Sequence, residues 1–290
     1  MPSVPSKVKG ILYVIVAAFG FSVMSLFVKL AGDLPSFQKA FFRNLIALIL
    51  MTVLLLRHRD GFLPARRSLP ALCGRCVFGT LGLLCNFYAL GRLSLPDANM
   101  LNKLSPFFSL LFSALLLGEK PTRLQLLGVT AAFCGSVLII KPGFDSPTLL
   151  PAFAGVLGGL GAGLAYTFVR RLGLLRENSR RIVFWFSAFS CLLCLPFLVA
   201  DYRPMQPRQT VYLLLAGTFA CIGQLGITRA YLCAPAREIS VYDYTQVLFA
   251  ALLGFWVFGE LPDVWSVLGY LMICGAGIFM FVCQNRRPAP

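Results

Sequence analysis

Long apolar runs, separated by short segments rich in polar residues, Gly and Pro, make up nearly the whole chain. Each run is close to or above the about 20 residues that an α-helix needs to cross a bilayer. The ten runs cover residues 10–31, 36–56, 69–91, 96–117, 123–141, 151–173, 181–200, 209–233, 239–258 and 264–284. This pattern predicts an all-α integral membrane protein with ten transmembrane helices, and it leaves no stretch long enough for a soluble domain.

The chain also carries two copies of one unit, offset by 141 residues. The segment Leu117-Gly118-Glu119-Lys120-Pro121 returns as Phe258-Gly259-Glu260-Leu261-Pro262. The same offset, without a gap, relates further positions: Gly20 and Gly161, Gly82 and Gly223, Lys29 and Arg170. We therefore predict two homologous halves of five helices each, residues 1–146 and 147–290, as in transporters built from internal repeats.

Composition agrees with this assignment. Hydrophobic residues make up 58% and charged residues 13% of the 290 residues, and the mean hydropathy is +0.79. A soluble domain would carry about 25% charged residues. The formal net charge of +15 is of the kind that nucleic-acid-binding proteins carry, so the distribution of the basic residues decides what it means.

The basic residues lie mainly on one side of the predicted membrane. With the N-terminus in the cytoplasm, the inner segments hold sixteen Lys and Arg and the outer loops hold five, which are Lys39, Arg92, Lys141, Arg203 and Arg208. Basic short loops favour the cytoplasm. We predict a protein of the cytoplasmic (inner) membrane with both termini inside, an uncleaved first helix, a bilayer as partner for its charge, and no nucleic acid.

Five spans in each half is an odd number, so the second half enters the membrane from the opposite side. Inverted repeats around a central cavity make an outward-open and an inward-open state nearly equal in energy, as alternating access requires. The alternative is a channel or a scaffold that arose by duplication of a dimerising five-helix ancestor.

Charged side chains inside a membrane cost about 2.5–3.5 kcal/mol each on insertion scales, so each one is a candidate functional residue. Arg43 and Lys103 both lie about seven residues from the outer surface, roughly 10 Å deep at 1.5 Å per residue. Two cations at one depth favour an anionic or zwitterionic ligand. Alternatively, Arg43 bonds backbone carbonyls at helix ends, and Lys103 extends to the outer surface past Asn99.

Asp243 is the one acidic residue well inside a predicted span, and Arg229 lies near the end of the preceding span. We expect these two side chains to form an ion pair across a short loop. Burial and a neighbouring Arg shift a carboxyl pKa in opposite directions, so Asp243 is a candidate for proton coupling. The alternative is a pair that only holds the two helices together.

Helical spacing places Asn99, Asn102 and Lys103 on one face of span 96–117, and Asp243 and Tyr244 on one face of span 239–258. Both faces should turn inward, away from lipid. Other polar candidates at membrane depth are Ser25, Asn86, Tyr88, Tyr166 and Gln224. Each alone is more often an interhelical hydrogen bond than a ligand contact.

Several other chemistries are disfavoured. The Gly-Glu-x-Pro context of Glu119 and Glu260 indicates a tight corner, with the acid suited to a helix N-terminus. The ten Cys are scattered and there is one His, so we expect no metal site, no cofactor and no enzymatic nucleophile–base pair. No ATP-binding motif is present, which leaves coupling to a proton or a counter-substrate.

Residues 115–121, their copy 257–262 and the Arg in Phe41-Phe42-Arg43-Asn44 together resemble the EamA-type drug/metabolite transporter superfamily. This resemblance implies a ten-helix basket whose central cavity is lined mainly by spans 1, 3, 4, 6, 8 and 9. Residues 242–250 (YDYTQVLFA) resemble the branch that contains the S-adenosylmethionine permeases and related metabolite carriers.

We therefore expect a monomeric secondary transporter whose substrate is a small, polar, amino-acid-derived metabolite, carboxylate-bearing or zwitterionic, and whose direction is export. Uptake or exchange of S-adenosylmethionine-like compounds, with Tyr rings and Asp243 facing the sulfonium, is one alternative. A flippase for a lipid-linked substrate is the other.

Overall fold

The computed structural model describes residues 6–117, 123–140, 149–233 and 240–285, and these ranges contain helices but no β-strand. The helices are α1 Ser6–Leu30, α2 Ser36–Arg57, α3 Leu69–Leu90, α4 Leu95–Asn102, α5 Ser105–Leu117, α6 Arg123–Ile140, α7 Leu149–Leu174, α8 Ser179–Ala200, α9 Pro207–Cys233, α10 Thr245–Phe258 and α11 Val264–Asn285. Two short 3₁₀ helices cover Arg66–Ser68 and Ser240–Tyr244.

Six of these helices, α1, α2, α3, α7, α8 and α9, are long and apolar enough to cross a membrane. Shorter apolar helical stretches cover Leu126–Ile139 and Val264–Phe279. Large apolar side chains such as Leu115, Val199 and Trp256 remain more than three-quarters exposed. In water so much apolar surface would be unfavourable, so the outer face of the bundle is suited to lipid. The prediction of an all-α membrane protein is confirmed.

The Gly-Glu-x-Pro corner forms as the sequence indicates. Gly259 ends α10 with φ of 66°, and its N–H bonds to the carbonyl of Phe255. This left-handed conformation costs a residue with a Cβ about 1–2 kcal/mol, which explains the glycine. The matching corner at Gly118 and Glu119 lies outside the described residues.

Two predicted spans are not continuous helices. Span 96–117 breaks at Lys103 and Leu104, between α4 and α5, because Pro106 has no N–H to donate to the carbonyl of Asn102. Span 239–258 starts with the 3₁₀ helix Ser240–Tyr244 and becomes α-helical only at Thr245. The single continuous polar faces expected for these spans are therefore wrong. The two breaks fall at positions related by the offset of 141.

Helices from the two parts of the chain pack in pairs, α1 along α9 and α3 along α7. At the first crossing, a Cβ added to Gly20 would lie 3.0 Å from the backbone N of Gly223. At the second, a Cβ added to Gly161 would lie 2.7 Å from the Cα of Gly82. Small residues let these backbones touch, as in other membrane helix pairs. The offset of 141 relates one crossing to the other, Gly20 to Gly161 and Gly82 to Gly223.

The loop before α3 and the loop before α8 contact each other through Asp60, Ala65, Glu177, Arg180 and Arg181. We call this group of contacts the clasp. Arg180 pairs with Asp60, and Arg181 pairs with Glu177. Glu177 also accepts a hydrogen bond from the backbone N–H of Ala65 at 3.3 Å. These loops, both predicted to be cytoplasmic, therefore lie on the same side of the bundle.

The pKa of Glu177 follows from this clasp. Burial raises the pKa, but hydrogen bonds from the Asn178 and Ala65 backbone and from Arg181 outweigh burial and hold it below the usual 4.5. A carboxyl whose pKa falls on folding stabilises the folded state above its ordinary pKa. That stabilisation is lost as the pH drops through the lowered value.

We predict that Glu177→Gln lowers the free energy of unfolding at pH 7 by about 1–3 kcal/mol, because an NH₂ group replaces one of the two acceptor oxygens and the ion pair with Arg181 is lost. The difference from the parent protein should shrink as the pH falls through the lowered pKa of Glu177, because the parent carboxyl is then protonated too. Thermal melts in detergent across a pH series measure it, with Asp201→Asn at an exposed position as control. A difference that stays constant with pH contradicts the prediction.

Candidate functional site

A small cavity of about 70 Å³ lies between the helices of the bundle. All six spans expected to line it contribute residues, and α2 and α8 add Arg43 and Phe186. Seven of the twelve candidate residues line the cavity: Ser25, Arg43, Asn86, Asn102, Lys103, Tyr166 and Gln224. Among the lining residues, all of them described, there is no Asp or Glu.

Arg43 enters the cavity from α2 and is only 1% exposed. One of its terminal nitrogens, Nη1, donates a hydrogen bond to the side chain of Asn44 at 2.5 Å. Its Nε has no hydrogen-bond partner among the described residues, and neither has the Asn44 side-chain nitrogen. Within the described residues, Arg43 does not bond to a backbone carbonyl at a helix end. The geometry therefore does not favour the alternative in which Arg43 braces helix ends.

Arg75 is a charged cavity residue that the sequence analysis missed. It lies on α3, is 3% exposed, and donates from Nη2 to Oε1 of Gln224 at 3.0 Å. Its Nε, like that of Arg43, has no partner among the described residues. The sequence did contain the information needed to find Arg75. It falls inside predicted span 69–91, and any cation inside a span is a candidate functional residue.

The two arginines converge on one aromatic ring. The guanidinium carbon of Arg75 lies 4.0 Å from the centroid of Phe186, and that of Arg43 lies 6.0 Å from it. The two guanidinium carbons are therefore within 10.0 Å of each other. Cation–π attraction offsets part of the cost of burying each charge. No ion-pair partner of either arginine is found in the described part of the chain.

Lys103 does not belong to this cationic pair. Its Nζ lies 2.7 Å from Oδ2 of Asp243, and both side chains are 4% exposed. The expected Asp243–Arg229 pair is therefore wrong, and so is the extension of Lys103 to the outer surface. Lys103 and Asp243 lie at the breaks of the two helical spans, and the pair joins these breaks.

Arg229 and Tyr88 lie away from the cavity lining. The guanidinium of Arg229 is 5.9 Å from the ring of Tyr13 on α1, where it makes no ion pair with Asp243. Tyr88 stacks with Arg92, whose guanidinium carbon is 4.0 Å from the Tyr88 ring centroid. Both candidates therefore make cation–π contacts outside the cavity lining.

Tyr244 is also buried outside the lining. Its ring covers Gly277 of α11, where an added Cβ would meet the ring at 2.3 Å. Its hydroxyl finds no hydrogen-bond partner among the described residues. A ring held in this way against α11 does not face the cavity as a sulfonium-binding wall.

Asn99 connects three helices beside the cavity. Its side-chain oxygen accepts hydrogen bonds from Ser25 of α1 at 3.2 Å and from Gln246 of α10 at 2.6 Å. Its side-chain nitrogen donates to the Leu95 carbonyl at 2.8 Å. Every polar atom of Asn99 is thus engaged, and its role here is to hold α1, α4 and α10 together. Gln246 lines the cavity and was not among the predicted residues.

Asn86, Asn102 and Tyr166 supply the uncharged polar part of the lining. The side-chain oxygen of Asn86 has no partner among the described residues. Tyr166 stacks on Tyr231, with ring centroids 5.6 Å apart. Within the described ranges, no group of three His, Cys, Asp or Glu side chains is placed to hold a metal ion.

Lys29 and Glu260, with the main chain at Leu93 and Leu95, form a polar cluster that joins α1, the start of α4 and the Gly259 corner. We call this cluster the latch. Glu260 pairs with Lys29 at the end of α1, and its Oε2 accepts from the N–H of Leu95 at 2.8 Å. Lys29 also donates to the Leu93 carbonyl at 3.0 Å. The acid therefore caps the N-terminus of α4 rather than the helix that follows it in sequence. The sequence predicted that Glu260 would cap the helix that follows it, and the structure corrects this prediction.

We predict that Lys103→Met and Asp243→Asn each destabilise the protein by about 3–5 kcal/mol, because each leaves an uncompensated buried charge. The double variant, with both charges removed, should recover most of the folded protein. Yield and thermal melting in detergent measure this. Lys29→Met, which breaks a more exposed pair, serves as the control with a smaller effect. Single variants as stable as the parent would contradict the prediction.

The chain is similar to known transporters in sequence and to a solved structure in fold. The pseudopaline exporter CntI of Pseudomonas aeruginosa is 35% identical over 271 residues, covering 93% of this chain and 94% of that protein. Human solute carrier family 35 member G1 is 26% identical over 283 residues, covering 93% and 78%. A solved crystal structure at 18% identity superposes with a TM-score of 0.72 over 96% of this chain and 99% of that one, a likeness of fold.

Family assignment is direct. Residues 8–141, and again residues 149–283, match the EamA-like transporter family. The relatives are named as transporters and not as enzymes. The chain belongs to the EamA-like transporter family, within the drug/metabolite transporter superfamily, and is a multi-pass membrane transporter.

Proposed function

We propose that this protein is a secondary transporter that exports a small, carboxylate-bearing or zwitterionic, amino-acid-derived metabolite across the cytoplasmic membrane. The observation that carries the proposal is the pair Arg43 and Arg75, buried in a central cavity without an acidic partner among its lining residues. A buried cation is costly unless it is paired, so a cavity of this kind is completed by an anionic ligand.

The charge of the cavity differs from that expected from sequence. Lys103 is neutralised by Asp243, so the anion-binding role moves from Arg43 with Lys103 to Arg43 with Arg75. Arg presents a planar fork of N–H donors that matches a carboxylate, and Lys presents only a point charge. The corrected pair therefore strengthens the assignment of a carboxylate-bearing substrate.

Alternating access of two inverted halves, residues 1–146 and 147–290, is part of the proposal. The two separate family matches, the two glycine crossings and the two helix breaks, each related by about 141 positions, support the repeat. Discontinuous helices near the midplane are typical of binding sites in inverted-repeat transporters. The latch of Lys29 with Glu260 would keep the outer end closed in this state.

Export, with both termini cytoplasmic, is the proposed direction and orientation. The relative named a pseudopaline exporter supports export, and the excess of basic residues in the inner segments supports the orientation. The inner clasp around Glu177 and the latch at Glu260 then lie on opposite sides of the membrane.

Coupling to a proton or to a counter-substrate completes the proposal. Asp243 remains the candidate proton site, because protonation would break its pair with Lys103 and loosen the contact between the two helix breaks. Uptake or exchange of an S-adenosylmethionine-like cation is less well supported, since no lining residue is acidic and Asp243 is already paired with Lys103.

We predict that Arg43→Gln and Arg75→Gln each lower transport of the substrate at least about tenfold, the equivalent of one charge-assisted hydrogen bond of about 1.4 kcal/mol. Metabolite profiling inside and outside cells with and without the protein identifies the substrate, and proteoliposome flux then measures the variants. Arg208→Gln, at an exposed position, is the matched control. Normal flux in both cavity variants, at normal protein levels, would contradict the proposal.

We predict that cysteines introduced at Arg66 and Arg176, both exposed, react only with reagents that reach the cytoplasm. A cysteine at Asp145 should react from outside, because an inverted second half requires the loop between the halves to be external. Tagging in intact cells and in inverted vesicles, in a background without native cysteines, gives the measurement. Labelling of Asp145 and Arg66 from the same side would refute the inverted topology.

A further inference from the structure

We propose that the transported substrate carries two acidic groups, one bound by Arg43 and the other by Arg75. This inference rests on the proposed function and names its substrate class more narrowly. It follows from the number of uncompensated charges in the cavity, from the unused donors on each guanidinium, and from the position of both guanidiniums beside Phe186.

The first argument is the number of charges. Three cations line the cavity, Arg43, Arg75 and Lys103, and Asp243 neutralises Lys103 at 2.7 Å. The lining residues include no Asp or Glu, so two positive charges stay uncompensated at exposures of 1% and 3%. A ligand with one negative charge would leave one buried guanidinium unpaired, which is strongly unfavourable at low dielectric. A ligand with two would neutralise the cavity.

The second argument is the supply of donors. A guanidinium has five N–H groups, and one side-chain hydrogen bond is recorded for each arginine, to Asn44 from Arg43 and to Gln224 from Arg75. The Nε of each is buried without a partner among the described residues. Asn44 and Gln224 orient the two forks, and each fork keeps enough donors for a carboxylate of its own.

The third argument is that both arginines lie beside one ring, so that their guanidinium carbons are at most 10.0 Å apart. They approach the ring of Phe186 from α2 and α3, with guanidinium carbons 6.0 Å and 4.0 Å from its centroid. A substrate with an acidic group at each end of a short carbon chain would span from one fork to the other, with the ring beside it. A compact single anion would have to share both forks at one point.

The experiment measures binding to the purified full-length protein with a ladder of sodium dicarboxylates: succinate, glutarate and adipate. The monoamide of each is the matched ligand with one charge removed, and methyl phosphate is the compact dianion. We expect the best-fitting dicarboxylate to bind at least about tenfold more tightly than its monoamide. In Arg43→Gln and in Arg75→Gln that ratio should fall close to one, while Arg208→Gln keeps the parent ratio.

Each other outcome is also decisive. Equal binding of dicarboxylate and monoamide to the parent, both weakened by the Arg variants, overturns two-group recognition and leaves the proposed function standing. Binding of methyl phosphate alone overturns it as well. If no probe binds, the metabolite found by profiling decides, and a transported metabolite with fewer than two acidic groups overturns the inference. Transport insensitive to both Arg variants refutes the proposed function itself.

Discussion

The ion pair between Lys103 and Asp243 joins the two places where the helical backbone of this protein is interrupted. Unpaired backbone and unpaired charge are both costly in a membrane, so each break must be enclosed by protein. With a cation at one break and an anion at the other, the two buried charges pair with each other. The pair also removes Lys103 from the charge of the cavity, and this leaves Arg43 and Arg75 as the cationic lining residues without an ion-pair partner among the described residues.

The glycine crossings make that arrangement possible. Backbone contact between α1 and α9 at Gly20 and Gly223, and between α3 and α7 at Gly82 and Gly161, brings the helices close enough to enclose a small cavity. Loss of Cβ atoms at these points sacrifices side-chain packing, but it allows van der Waals contact between main chains. One of these four glycines, Gly82, also lines the cavity.

Family membership and site chemistry answer different questions about this chain. The EamA-like matches establish a transporter, but the family match does not name the cargo of this chain. Substrate choice must therefore come from the side chains that line the cavity. In this protein those are two guanidiniums on one aromatic ring, with amide side chains around them.

By itself the sequence determined the membrane class, the positions of the helical segments, the Gly259 corner and the identity of most polar candidates. These depend on local pattern, since a span needs a run of apolar residues and a left-handed corner needs glycine. Only the tertiary structure decided that Asp243 pairs with Lys103 instead of Arg229, that Arg75 joins Arg43, and that Asn99 holds three helices together. Those partners lie far apart in the chain, and the helix breaks shift their depths, so residue counting along an unbroken helix could not locate them.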